Sequence, residues 1–521
     1  MVITSVKFLI FCICAVCLFL VFPPKHRWIA LLIASCIFYF YCARWMIGFS
    51  LFGGGIVYIS ARLLEKTDRK GSALAEGKER EQAKKIKKQT AARRRLILIL
   101  TLVFVLGILI TYKVLNHFTG ALAFLTGLLA GAGAGDVMTL VMPLGISYYT
   151  FSIVGYLLDI YWKRYEAEKN PLRFYLYTIY FPHIMQGPIS RYPLLGQQLK
   201  KPKLMLTWDH FIVGMESILL GMFKKLVIAD RAGVFVGETM TKADMGGLVY
   251  LVCLILDAVQ IYADFSGYMD IVSGVSLLFD VELEQNFNHP FLAKSVPEFW
   301  RRWHMSLGGW FKDYVYYPVN VSKTAKKINK KIRNMKQPHL KKALSVVLPV
   351  MVTWILTGLW HGTGSGYVAW GFYYGILILL SVTFSDEIGA RIRAAGINRD
   401  AVWYRMLQTV KIFCIFMGGR FLAARVELSQ KVLIVKSIFT AAAQGDLLSH
   451  RLNPFNFGLL LFGMAALIFI AVIEQKESIF TWLNKKSMPV RVALLYLFFF
   501  AVFLFGIYGT SDAGSFLYQQ Y

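Results

Sequence analysis

Acidic residues are scarce in this chain: 30 Asp and Glu stand against 57 Lys and Arg in 521 residues, and all charged residues together make up only 17%. A soluble domain carries about a quarter of its residues as charges, so a soluble globular enzyme is excluded. Cysteines are also few. Cys12, Cys14, Cys17, Cys36, Cys42, Cys253 and Cys414 all lie inside apolar runs, which rules out the loop-borne disulfide framework of a small secreted domain. Cys14 and Cys17 have redox-motif spacing but sit in hydrocarbon-compatible sequence, where a thiol packs as a small apolar group. No GxxxxGK followed by Ser or Thr occurs, and no GxSxG follows a strand pattern, so neither ATP hydrolysis nor a hydrolase elbow is supported. Histidines and carboxylates are not clustered at metal-ligand spacing, and no metal is expected. No repeat of fixed period is visible.

What the chain does have is apolar length: hydrophobic residues reach 57%, aromatic residues 15% and mean hydropathy +0.53. This is the composition of an all-α, polytopic membrane protein. The net charge of +27 then belongs to cytoplasmic loops beside anionic lipid, and nucleic acid is not the expected partner. Residues 2–22 read as a retained first helix, since no small-residue cleavage site follows them. Further spans are expected over 28–44, 46–64, 96–115, 137–162, 343–360, 367–384, 410–422, 457–473 and 490–507. Residues 247–265 and 268–279 read as a helix pair joined at ADFSGY. Two dense basic stretches, 65–95 and 320–342, interrupt this pattern and read as solvated cytoplasmic loops; an amphipathic lipid-binding helix is the alternative for the first. Residues 208–230 form a helix whose Lys224, Lys225 and Arg231 are expected at its cytoplasmic end.

Polar residues inside this apolar background mark the candidate site. Residues 297–318, PEFWRRWHMSLGGWFKDYVYYP, follow Ser295 and contain Glu298, a capping box that opens a helix. A continuous helix there would align Trp300, Trp303, Leu307, Trp310 and Tyr314 in one aromatic stripe, with His304 at its border and Arg301 beside it. Asp257, Asp264, Ser266 and Asp270 are too many polar groups for lipid-facing helices and must face one another or a wet cavity. The segment 174–192 holds two proline breaks and is expected to be re-entrant, with His183 and Arg191 at a cavity or its mouth; an interfacial loop without chemistry is the alternative. Finally, a spanning helix ends in GLWHGTGSG, where Trp360 precedes His361. A rise of about 1.5 Å per residue puts His361 roughly 27 Å from the basic stretch, and Trp354, Thr357 and Gly358 share its face as a small polar niche. One neutral imidazole suffices as a general base toward a hydroxyl, although an isolated histidine also commonly just bonds a neighbouring carbonyl. A solute transporter or channel would carry the same broken helices, but no inverted repeat is visible.

The motifs FPHIMQGPISRY, DFSGYMDI, NFNHPF, PEFWRRWHMSLGGWFKDYVYYP and LTGLWHG, in that order across residues 140–375, resemble the membrane-bound O-acyltransferase (MBOAT) family, in particular its alginate O-acetyltransferase branch. The resemblance implies one polytopic domain over 1–521, in which a ring of transmembrane and re-entrant helices (core 140–375) surrounds a central funnel, flanked by helices in 1–115 and 410–521. It implies transfer of an acyl group, most simply acetyl, from a cytoplasmic thioester such as acetyl-coenzyme A or an acyl carrier to a hydroxyl of an extracytoplasmic polysaccharide, with a partner of the SGNH-hydrolase type. The family's proposed catalytic histidine corresponds to His361 and its second histidine to His304. Trp303, Arg301, Trp360, Asp264, Ser266, Asp270, Arg191 and His183 are the substrate-path candidates. The D-alanyl transfer branch of teichoic acid metabolism shares RWHMSL and WHG. The acetyltransferase branch is favoured by the further spans beyond residue 410 and by the ending SFLYQQY, whereas the late Trp-x-Phe-Phe-Arg element is replaced by Gly419, Arg420, Phe421 and Arg425 in a different order.

Both basic stretches are therefore expected in the cytoplasm. Single cysteines at Ser72 and Asn329 should not react with a membrane-impermeant thiol reagent in intact cells and should react after permeabilisation; labelling in intact cells would invert the topology.

Overall fold

Three carboxylates on one apolar helix, Gly247–Leu277, govern how much of the chain packs. An ionised Asp removed from water needs a cation beside it. In the computed structural model Arg420 grips Asp257 through two hydrogen bonds of 3.0 and 2.9 Å. Lys225 lies 2.8 Å from Asp264 and 2.7 Å from Asp230, and Lys224 lies 2.6 Å from Asp270. The sequence suggests a pair of helices joined at ADFSGY, but Gly247–Leu277 is a single helix of 31 residues. Its Gly267 and Gly274 explain the continuity, since they serve close approach to Trp208–Met222 rather than a turn: a Cβ on Gly267 would stand 2.8 Å from the Gly221 carbonyl, and one on Gly274 2.5 Å from that of Gly214. Lys224 and Lys225, read as helix-end cations, do not face solvent. Lys225 is 1% exposed and both lysines are paired inside the protein, so neither contributes a topogenic charge.

The structure describes residues 2–130, 143–200, 208–242, 245–362, 364–440 and 453–508. The SFLYQQY ending, the beginning of the expected 137–162 span and Thr363 lie outside the described residues. The regular structure of the described residues is helical, with one isolated β-bridge, Phe287 to Trp303, and eight stretches among them are long and apolar enough to cross a membrane. The fold is that of an all-α polytopic membrane protein. The residues pack as two compact units.

One unit holds residues 6–207 and 278–284. The basic stretch 65–95, read as a solvated loop, is instead a helical hairpin in which Ile47–Ala75 and Arg80–Ala130 run on through it and turn at Gly77, whose φ is +70°. Lys, Arg, Glu, Gln and Ala are strong helix formers, and a run of charge does not unwind them when it is paired. Asp68 lies 2.6 Å from Lys163 and 3.4 Å from Arg94, and Gly71 lies so close to the Thr90 side chain that a Cβ would collide with it. After the nine-residue helix Pro171–Ile179, capped by the Asn170 side chain, the chain around His183 runs irregularly, too short in helix to span.

The other unit holds residues 208–277 and 285–508 of the described chain. Two layers of buried side chains fill it, one around Phe223, Ile228 and Tyr250, the other around Phe299, Trp303, Trp370 and Phe416. The second basic stretch again folds, as the short helix Lys323–Ile332 capped by Ser322, which buries Ala325 and Ile332 and exposes most of its lysines.

Removing Lys225 alone leaves two buried carboxylates without their cation, a loss of about 3–5 kcal/mol. Lys225→Met should therefore yield little monodisperse protein in detergent. The triple variant Lys225→Met, Asp230→Asn, Asp264→Asn should recover it; equal thermal stability of the single variant and the parent would contradict the pairing.

Candidate active site

His361 is the last residue of the helix Pro338–His361, and its position follows from how that helix stops. Gly362 continues in extended backbone with its N–H donating to the Gly358 carbonyl at 3.1 Å, and the next helix, Ser365–Ala394, starts three residues later. The two helices close against each other through glycine. A Cβ on Gly371 would lie 2.6 Å from the Trp354 carbonyl, and one on Gly358 would collide with the Tyr367 carbonyl. A glycine cluster at a helix break could leave room for substrates and an unpaired amide for an oxyanion. Instead Gly362 faces the Tyr367 ring, Gly366 faces the Leu422 carbonyl, and the Gly362 amide is taken by Gly358; of the three loop glycines only Gly364 borders open space. The expected polar niche is also altered, since the Thr357 hydroxyl donates to the Thr353 carbonyl of its own helix at 2.7 Å.

What surrounds His361 is aromatic. Tyr367, Trp370 and Tyr374 recur at helical spacing on the following helix, and the Trp370 ring lies 5.1 Å from the imidazole. Trp300 stands edge-on to Trp354, Trp370 and Tyr374 at 4.9, 5.4 and 4.7 Å. A half-open pocket of about 30 Å³ is lined by His361, Trp300, Trp303, Tyr367, Trp370 and Arg420, with apolar side chains completing the wall. Arg420 belongs to the helix Val402–Ala423 and is held to the long helix by Asp257. The Trp300 indole N–H is buried with no hydrogen-bond partner among the described residues, so it is available to an acceptor atom of a bound molecule.

His304 reaches the same neighbourhood by a different route. The expected single helix over 297–318 is interrupted: Val296–Arg302 ends at Trp303, His304 adopts the left-handed conformation (φ 46°, ψ 53°), and Met305–Phe311 begins anew. The capping box does form, with Ser295 Oγ accepting from the Glu298 N–H at 3.3 Å, although the Glu298 carboxylate reaches back to the Lys294 amide. The break has a cause outside the segment. Asn286 accepts from the Met305 N–H through its carbonyl and from the Ser306 N–H through Oδ1, each at 3.0 Å, and Asn288 N–H donates to the Arg302 carbonyl at 2.9 Å. The NFNHPF stretch thus supplies the partners that both broken helix ends need. Turned inward, His304 packs on Phe265 at 4.8 Å and on Trp360 at 6.0 Å, while Trp360 lies 5.0 Å from His361. Burial, reinforced by repulsion from His361, holds the His304 pKa well below the usual imidazole range. It is neutral at physiological pH.

His361, Trp360, His304 and Trp303 are thus brought together. Arg301 is exposed and does not line the cavity. Asp264 and Asp270 are engaged by Lys225 and Lys224, and the Ser266 hydroxyl is buried without a hydrogen-bond partner among the described residues. His183 and Arg191 belong to the first unit. The His183 ring contacts the Tyr177 carbonyl at 3.2 Å, and burial lowers its pKa to about 4; the Arg191 amide donates to Glu284 at 2.8 Å. Trp370, Tyr374 and Arg420 were not chosen from the sequence. Two signals pointed to them: the helical spacing of 367, 370 and 374, and a lone arginine and a lone aspartate in separate apolar spans.

The sequence matches the model of the membrane-bound O-acyltransferase family over residues 167–423, a range that contains His304, His361 and Arg420. The probable alginate O-acetylase AlgI of Pseudomonas aeruginosa is 28% identical over 407 residues, 76% of this chain and 66% of that protein. The peptidoglycan O-acetyltransferase of Helicobacter pylori is 28% identical over 308 residues, 54% of this chain and 55% of that protein. The teichoic acid D-alanyltransferase of Bacillus subtilis is 30% identical over 293 residues, 54% of this chain and 70% of that protein. The chain thus spans roughly half to two thirds of the length of most curated relatives it matches. With its helical membrane fold and the ordered motifs leading to His361, the chain belongs to the membrane-bound O-acyltransferase family.

Proposed function

We propose that this protein is an O-acetyltransferase that takes an acetyl group from a cytoplasmic thioester, acetyl-coenzyme A or an acyl carrier, and delivers it to a hydroxyl of an extracytoplasmic polysaccharide, directly or through a partner of the SGNH-hydrolase type. The observation that carries the reading is His361 at a helix end on the wall of an aromatic pocket. Relatives named for O-acetylation of alginate and of peptidoglycan support acetyl as the group and a glycan as the acceptor.

In this reading His361 removes the acceptor hydroxyl's proton as its oxygen attacks the thioester carbonyl, and returns that proton to the departing thiolate. A hydroxyl is a poor nucleophile at neutral pH, so a positioned base contributes about 10²–10⁴-fold. Trp300, Trp303 and Trp370 leave little room in the pocket for water, which otherwise competes as acceptor and hydrolyses the thioester. His304, being neutral, does not donate a proton; it positions Trp360 against His361. The similarity to a teichoic acid D-alanyltransferase favours a second reading, in which the acyl group is D-alanyl.

His361→Gln keeps a hydrogen-bonding side chain of similar length and cannot take the proton. Transfer of radiolabelled acetyl to cell-surface polysaccharide should fall about 10²–10⁴-fold at matched protein level. Near-normal acetylation would remove His361 from the chemistry, and label appearing from D-alanine but not from acetate would select the second reading.

A further inference from the structure

We propose that Arg420 is the cation that receives the thioester carbonyl oxygen as it gains charge, and that Asp257 serves the reaction by positioning Arg420. This rests on the acyl-transfer reading above. When the acceptor oxygen bonds to the carbonyl carbon, the carbonyl π electrons move onto oxygen while His361 takes the hydroxyl proton. Collapse of the tetrahedral species re-forms the carbonyl and breaks the carbon–sulfur bond, and the thiolate leaves with the proton held by His361. The transient negative charge on oxygen needs a preorganised positive partner in a site from which water is excluded.

The Gly362 amide beside His361 is not that partner, because it donates to the Gly358 carbonyl. Among the described residues that line the pocket, Arg420 alone carries a permanent charge; its neighbours there are aromatic and aliphatic apart from His361. Its guanidinium is oriented by the Asp257 carboxylate through Nε and Nη2 at 3.0 and 2.9 Å, with the two side chains only 16% and 11% exposed. A bidentate grip fixes the plane of the guanidinium and not merely its distance. The pair also explains how a cation is tolerated beside apolar walls: Asp257 offsets its desolvation, and the low dielectric strengthens the field it presents locally. The alternative is that the pair only ties Val402–Ala423 to Gly247–Leu277, and the two roles differ in what they do to kcat.

Steady-state kinetics of the purified full chain in proteoliposomes, with acetyl-coenzyme A as donor and a polysaccharide acceptor, separate them. Arg420→Gln should lower kcat about 10²–10³-fold while KM for the donor changes little, since the interaction is made in the transition state. Asp257→Asn should lower kcat by less and leave Arg420 in place. If Arg420→Gln alone fails to fold, the double variant Asp257→Asn, Arg420→Gln removes both charges and should fold with the same kcat deficit. A folded single or double variant with parental kcat, or with its whole deficit in KM, overturns the proposal. The acyl-transfer reading fails separately: there the parent protein itself releases no thiol in an acceptor-dependent way, or His361→Gln remains active.

Discussion

Charge pairing inside an apolar medium is the constraint on which the larger unit depends. The helix Gly247–Leu277 carries three carboxylates, and each recruits a cation from elsewhere in the chain: Arg420 for Asp257, and the adjacent Lys225 and Lys224 for Asp264 and Asp270. Hydrophobic burial contributes little specificity among helices that are apolar nearly all round, because lipid satisfies their surfaces as well as protein does. A buried carboxylate is not satisfied by lipid. It fixes which helix lies beside it, and in which register, because breaking such a pair costs about 3–5 kcal/mol. Arg491 on Glu216 extends the same rule to a later helix.

The candidate site grows out of this frame. The Asp257–Arg420 pair brings Val402–Ala423 to the long helix and places a guanidinium on the wall of the His361 cavity. Glycines at 358 and 371 let the two helices that flank His361 touch backbone to backbone, which sets the imidazole against Trp370. Asn286 and Asn288 hold open the break that turns His304 inward onto Trp360. Each of these contacts joins residues distant in sequence, and each leaves a side chain of one role in one orientation.

Legibility in the sequence divided along the same line. Helices long in apolar residues, such as Pro338–His361 and Pro454–Ile473, were evident from composition, as was the helix end at the glycine-rich run after His361. His361 and His304 stood out because a histidine in apolar sequence is rare and because the surrounding motifs resemble a known family. The break at His304 was not legible: local periodicity favours a continuous helix there, and the backbone of residues 286–288 overrides it. Lys224 and Lys225 looked like a cytoplasmic helix end because charge alone does not reveal a partner on another helix. The basic residues 65–95 looked like a loop because charge density suggests solvation, while helix propensity and pairing at Asp68 hold them in a hairpin. The glycines after Trp360 suggest open space in the sequence, but Tyr367 fills the space at Gly362 and the Leu422 carbonyl that at Gly366.

The central claim is that donor carbonyl and acceptor hydroxyl meet beside His361, in the pocket that Trp300, Trp303 and Trp370 line. An electron cryomicroscopy structure of the protein in lipid nanodiscs with a non-transferable thioether analogue of acetyl-coenzyme A tests it most directly. The account predicts density for the acyl end inside this cavity, with its carbonyl oxygen toward Arg420 and its carbonyl carbon within reach of an acceptor held at His361. An acyl end bound elsewhere, with the cavity closed around its own aromatic side chains, would contradict it.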